Sequence, residues 1–235
     1  MAFVGIKMNK LHEKVAIVTG AAYSTGRAIA IKLAEEGAKV IVADLNTKRG
    51  QTTVDTITSR AGEAVFVRTD VSRSRDVQNM VRKCMKVYGK LNMLCNFAGT
   101  NLVTQVADLS ERQWDRVMNV NLKGVFLSMK YAIPEMVRGG GGCIVNWTLN
   151  EFQTFSNEVS YISSGAVNIL SKATALDYSS KNIRIHTVCP RGISILPISI
   201  YGESGLGTSK LNRGSVLKTT DEIASLVLFI ACNES

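Results

Sequence analysis

The stretch Lys14-Val15-Ala16-Ile17-Val18-Thr19-Gly20-Ala21-Ala22-Tyr23-Ser24-Thr25-Gly26 decides the fold of this chain. Residues 14–18 read as a buried strand, and Gly20 to Gly26 as a glycine turn. Apolar residues then recur at helical spacing over 26–36 (Ala28, Ala30, Ile31, Leu33, Ala34) until Gly37 stops the helix. In a strand-turn-helix unit of this kind the first glycine makes the tight turn. A small residue lets the backbone approach a pyrophosphate, and the last glycine lets helix and strand pack closely. The helix start offers free N–H groups and a positive dipole end to phosphates.

Working outward, short apolar runs alternate with amphipathic stretches, which predicts βαβ units and a parallel sheet. Strands are expected at 39–43, 64–68, 91–95, 143–147 and 183–188. Helices are expected at 47–60, 74–87, 160–179 and 220–231, with a long helical region over 110–137 broken or bent near Pro134. The four glycines at 139–142 form a turn. No linker or repeat period marks a second domain, so the expected class is α/β, a Rossmann-type doubly wound parallel sheet in a single domain. Residues 1–10 read as an N-terminal extension and 11–235 as the dinucleotide-binding domain. A doubly wound domain usually adds one more strand after its last helix, and that final strand is expected to be absent.

The totals narrow the function classes. A chain of 235 residues with 46% hydrophobic and 20% charged residues suits one substantial core. Five cysteines, odd in number and without a CxxC pair, suit a reducing compartment, so the expected location is cytoplasmic. No residue set suggests a metal site; His12 and His186 have no partner that would make a triad or ligand cluster. No signal peptide is read at the start, and the apolar run 226–232 falls well short of the ~20 residues that cross a bilayer. The net charge of +9 is spread along the chain without an arginine-rich run, so it reads as a solvated basic surface rather than a nucleic-acid interface.

Asp44 at the end of the second strand can accept hydrogen bonds from an adenosine ribose and would repel a 2′-phosphate, which favours NAD over NADP, although Lys48 and Arg49 lie nearby. With this the sequence resembles the short-chain dehydrogenase/reductase family. The motifs are Thr19-Gly20-x-x-x-Ser24-x-Gly26, Asp70-Val71, Asn96-Phe97-Ala98-Gly99, Asn119-Val120-Asn121-Leu122, Ile144-Val145-Asn146, Tyr161, and Pro190 with Gly192, in family order over residues 11 to about 193. The resemblance implies that Gly20, Ser24, Thr25, Gly26, Asp44, Asp70, Val71, Asn96, Ala98, Gly99, Pro190 and Gly192 hold the cofactor. It also implies that Asn121 assists a water-mediated proton relay, and that the protein is a homo-oligomer, dimer or tetramer, built through its long helices. Ser24 stands where the family has glycine and Phe97 where it commonly has Asn; the Ser24 side chain either bonds the phosphate or crowds it.

The catalytic centre departs further. The family uses a tyrosine as general acid/base, a serine that orients the carbonyl, and a lysine four residues after the tyrosine. A phenol titrates near ~10 and is a poor base at neutral pH unless a cation stabilises the phenolate. Here Tyr161 is followed by Gly165 in the lysine position. Lys172 lies eleven residues on, about 16 Å along a helix rising ~1.5 Å per residue, too far to substitute. The serine position falls on Thr148 or, with a one-residue gap, on Leu149. Trp147 is core packing or a pocket wall. Glu151 and Glu158 flank the presumed pocket as solvated loop residues or replacement acid/base groups. Tyr161 with Thr148 and Asn121 forms the candidate catalytic set, and Tyr161 is expected to serve as proton donor or anchor more readily than as base.

Three functions follow. The first is an NAD-dependent alcohol/ketone oxidoreductase with a weakened tetrad, acting on a small-molecule substrate. The second is a non-redox cyclase, isomerase or lyase on the same scaffold. The third is a catalytically silent NAD-binding subunit.

Overall fold

Both faces of the central strands are apolar, so helices must cover them on either side. The computed structural model describes residues 9–102, 104–148, 159–189 and 219–232. The strands are β1 (Val15–Thr19), β2 (Lys39–Asp44), β3 (Glu63–Arg68), β4 (Met93–Asn96), β5 (Gly142–Trp147) and β6 (Ile183–Val188). Between them run α1 (Ser24–Glu35), α2 (Thr47–Ser59), α3 (Ser74–Tyr88), α4 (Glu111–Met118), α5 (Gly124–Arg138), α6 (Val159–Tyr178) and, last, α7 (Thr220–Cys232). All six strands are parallel in the order β3-β2-β1-β4-β5-β6. The order reverses between β1 and β4, and an open sheet of this kind places its crevice outside the carboxyl ends of the strands at such a switch point. The expected class, a single-domain doubly wound α/β fold, is what the structure has.

Alternate residues of each strand feed two cores. Ala16, Val18, Val40, Val42, Cys95 and Val145 pack with α1 and α7, and Ile57 of α2 joins them. Val15, Ile17, Ile41, Leu94, Ile144 and Ile185 pack on the other face with Val77 and Met80 of α3, Met136 of α5 and Val167 of α6. β1, central in the order, is buried at every residue, whereas β3 at one edge is only half-buried. Among the described residues no cysteine pair is bridged, no helix is long and apolar enough to cross a membrane, and no three His, Cys, Asp or Glu side chains converge.

The long helical region differs from the expected one. Pro134 lies inside an uninterrupted α5. The register changes instead at Asn119–Lys123, a single π turn whose Gly124 N–H reaches back to the Asn119 carbonyl. Pro134 is exposed, whereas Asn121 in the π turn has polar partners to reach, as described below.

Candidate functional site

Gly20 is required where it stands. Its φ of +70° is left-handed, and a Cβ there would lie 2.6 Å from the Phe97 carbonyl oxygen. A Cβ on Gly26 would overlap the Gly20 carbonyl, so the first turn of α1 can sit against the strand only with glycine. Ser24, between them, is exposed and also left-handed, at φ +38°. The N-cap residue of α1, Tyr23, makes no side-chain bond to the helix. Its first N–H groups therefore remain available to an outside acceptor.

Asp44 closes the carboxyl end of β2. Its Oδ2 accepts the Ala22 N–H at 3.0 Å and its Oδ1 the Asn46 N–H at 2.9 Å, so the carboxylate is fixed beside the glycine turn. Asp70 is held in the turn before α3, accepting from the Ser72 N–H (3.0 Å) and hydroxyl (2.6 Å) and pairing with Arg73 (3.2 Å). Val71 is buried against Gly124 of α5, where a Cβ would come within 2.8 Å of its Cγ2.

Thr19, which sequence reasoning treated only as part of a motif, is a bonding hub. Its buried hydroxyl accepts the Phe97 N–H at 3.1 Å and the Ala98 N–H at 3.2 Å, anchoring the loop after β4 to β1. Asn96 turns into the sheet instead: its Nδ2 donates to Asn146 Oδ1 at 2.8 Å, and Asn146 Nδ2 donates to Ser171 Oγ at 2.8 Å. Asn96 is not among the residues lining the cleft described next, and its Oδ1 is buried without a partner.

A cleft of about 600 Å³ opens at the carboxyl ends of the strands. Gly20, Ser24, Thr25 and Gly26 line it together with Asp44, Asp70 and Val71 from one side and Ala98 and Gly99 from the other. Tyr23, Asn46, Val120 and Trp147 also contribute to the wall, and none of these four was among the cofactor residues selected from sequence. Asn46 carried a legible signal as the N-cap of α2, where its Oδ1 accepts the Arg49 N–H at 3.0 Å; Tyr23 carried none.

A second cavity of about 210 Å³ shares Phe97, Ala98, Gly99 and Trp147 with the first and extends to Asn121, Ser163 and Ser164. The Phe97 and Trp147 rings meet with centroids 5.4 Å apart and planes tilted by 40°, so Trp147 is a pocket wall as well as a packing residue. Asn121 spends its amide structurally. Oδ1 accepts the Thr100 N–H at 2.8 Å, and Nδ2 donates to the Thr100 carbonyl at 2.9 Å and to Ser163 Oγ at 3.2 Å.

Tyr161 is half-buried in the first turn of α6, and Gly165 one turn further on is helical. Thr148 is buried just past β5, its N–H donating to the Val188 carbonyl at 2.9 Å. Neither Tyr161 nor Thr148 is among the residues lining the two cavities. Leu149, Glu151, Glu158, Pro190 and Gly192 lie outside the described residues. Burial pushes the Cys95 and Cys143 thiols up, Cys143 to about 11, so neither offers a thiolate at neutral pH.

A family model for short chain dehydrogenase matches residues 14–196. The chain belongs to the short-chain dehydrogenases. This short-chain dehydrogenase is 33% identical to the 2,5-dichloro-2,5-cyclohexadiene-1,4-diol dehydrogenase of Sphingobium indicum, over 97% of this chain and 92% of that protein. It is 34% identical to the cyclohexanol dehydrogenase of an Acinetobacter strain, over 98% and 92%. Its fold is similar to that of a metagenomic short-chain oxidoreductase solved in complex with NADP (TM-score 0.81, 24% identity, covering 95% of this chain and 93% of that one). The family is one of oxidoreductases that use a nicotinamide cofactor.

Proposed function

We propose that this short-chain dehydrogenase binds NAD(H) in the larger cleft and slowly interconverts an alcohol and a ketone. The observation that carries the reading is Asp44, a carboxylate held in the cleft wall by two backbone N–H groups. Each oxygen keeps a further lone pair for a ribose hydroxyl, and the fixed negative charge opposes a 2′-phosphate. The residues present fit the cofactor: the N-terminus of α1 lacks a side-chain cap, and among the described residues only Asn121 Oδ1, at 3.5 Å, stands within 4 Å of a Cβ placed on Gly99. The resemblance adds Pro190 and Gly192 to the same site.

The cofactor, when bound, supplies or accepts the hydride. Tyr161 hands the carbonyl oxygen its proton, the Thr148 hydroxyl orients that oxygen, and Asn121 keeps the loop at Thr100 fixed to α6. Gly165 leaves this set without its lysine, and loss of one acid/base support costs about 10²–10⁴ in rate. The cyclic alcohols in the names of the two relatives make ring-borne secondary alcohols the first substrates to try. The buried, unbridged thiols support a reducing, cytoplasmic setting.

The exposed side chains of Ile162, Ile169 and Leu176 recur every seven residues along α6 and support a homo-oligomer joined through that helix. A second reading, a non-redox enzyme or a silent NAD-binding subunit, is favoured by Gly165 in the lysine position.

Fluorescence titration with NADH and NADPH tests the cofactor assignment. NADH is expected to bind at least about tenfold more tightly, and Asp44→Asn to narrow that gap. Binding of neither nucleotide, or preference for NADPH, overturns the assignment.

A further inference from the structure

Ser24 holds a left-handed backbone angle, φ +38°, in the turn that lines the cleft, with no glycine to make that conformation easy. Something must fix it. The residue before it, Tyr23, is extended (φ −138°, ψ 156°), and its side chain is partly exposed rather than packed in the core. Yet that ring is gripped on two sides. Asn46 Nδ2 donates to the Tyr23 hydroxyl at 2.8 Å, and the Arg49 guanidinium sits over the ring face at 4.3 Å.

The grip is part of a closed circuit. Ala22, the neighbour of Tyr23, donates its N–H to Asp44 Oδ2 at 3.0 Å. Asp44 Oδ1 accepts the Asn46 N–H at 2.9 Å, and Asn46 returns through its amide nitrogen to Tyr23. Arg49 seals it, donating its N–H to Asn46 Oδ1 at 3.0 Å while its side chain covers the tyrosine. The Asn46 amide therefore works at both ends, Nδ2 holding the glycine turn through Tyr23 and Oδ1 capping the start of α2. Three of the four side chains in the circuit, those of Tyr23, Asp44 and Asn46, line the cleft, and Arg49 backs Tyr23.

We infer that Tyr23, Asn46 and Arg49 form a latch that holds the Ser24 turn in the shape that receives the dinucleotide, an inference that rests on the cofactor assignment above. They are positioning residues. With the latch open, Ser24 relaxes toward negative φ and carries the first N–H groups of α1 out of line. With glycine at position 24 the turn has no strain to resist, and the latch becomes dispensable.

The test is a double-substitution cycle in the intact chain, reading NADH affinity by fluorescence and, separately, the thermal midpoint without nucleotide. Tyr23→Phe removes the accepting hydroxyl and is expected to weaken NADH binding about fivefold, but less than about twofold when Ser24→Gly is also present. Arg49→Ala is expected to behave in the same direction. The midpoint should follow the same pattern, falling by about 2 °C in the serine background and by little in the glycine background. Equal losses in both backgrounds, or none in either, overturn the latch. Should the unaltered protein bind no dinucleotide, the cofactor assignment falls, while the thermal comparison still decides whether the latch supports Ser24.

Discussion

At Ser24 an ordinary side chain occupies a backbone region that glycine enters freely. Left-handed geometry costs an L-residue about 1–2 kcal/mol, and glycine returns part of that through the extra chain entropy it loses on folding. Ser24→Gly should therefore stabilise the protein by up to about 1 kcal/mol, seen as a rise of ~2–4 °C in Tm. An unchanged or lower Tm would mean that no strain resides there. Single residues were legible where backbone geometry or charge dictates the residue type. Gly20, Gly26 and Asp44 stand where the strand-turn-helix reading put them. Tyr23 and Asn96 were not legible in this way. The first matters through a stacked cation and an amide contributed from α2 and its cap, and the second turns its amide away from the cleft to Asn146. Contacts of that kind depend on register between distant segments, which spacing along the chain does not encode.

Among the elements, β6 carries the clearest pH-dependent term. His186 has both ring nitrogens buried without partners, and burial, aided by the Arg184 charge, pushes its pKa down to about 4. The neutral imidazole is thus the native form, while the unfolded chain protonates near the ordinary ~6.5. Stability is unaffected by this group above that value, declines as pH falls from about 6.5 to about 4, and levels off below, a loss on the order of 3 kcal/mol. Urea titrations at about pH 7 and about pH 4.5 should show His186→Leu losing some 2 kcal/mol less than the unaltered protein. Equal losses would place the acid sensitivity elsewhere. Element order and type followed from apolar periodicity, and the ends moved by one or two residues, as at β4, which begins at Met93 rather than at residue 91. The π turn at Asn119–Lys123 escaped because one inserted residue barely perturbs a helical pattern, while Pro134 drew attention that α5 did not justify.

At the scale of the whole molecule, the seven-residue spacing of Ile162, Ile169 and Leu176 has a consequence for assembly. Ile169→Glu should convert the oligomer to monomer in sedimentation velocity, since a charge at the centre of an apolar helix seam is left unpaired. A monomeric unaltered protein would remove the assembly proposal. The parallel sheet was legible from the alternation of runs, whereas the strand order that sets the β1/β4 switch point was not. The catalytic half was only partly so, because residues 193–217, where the substrate loop is expected, are rich in Ser, Gly and Ile and name no substrate. On the proposed function, this short-chain dehydrogenase with glycine in the lysine position retains its cofactor but only a weak proton-transfer centre. NADH-linked reduction of cyclohexanone at neutral pH, compared between the unaltered protein and Gly165→Lys with Thr148→Ser, tests it most directly. Slow turnover in the first and a gain of at least about 100-fold in the second are predicted. Brisk turnover by the unaltered protein, or no gain in a variant that still binds NADH, would contradict it.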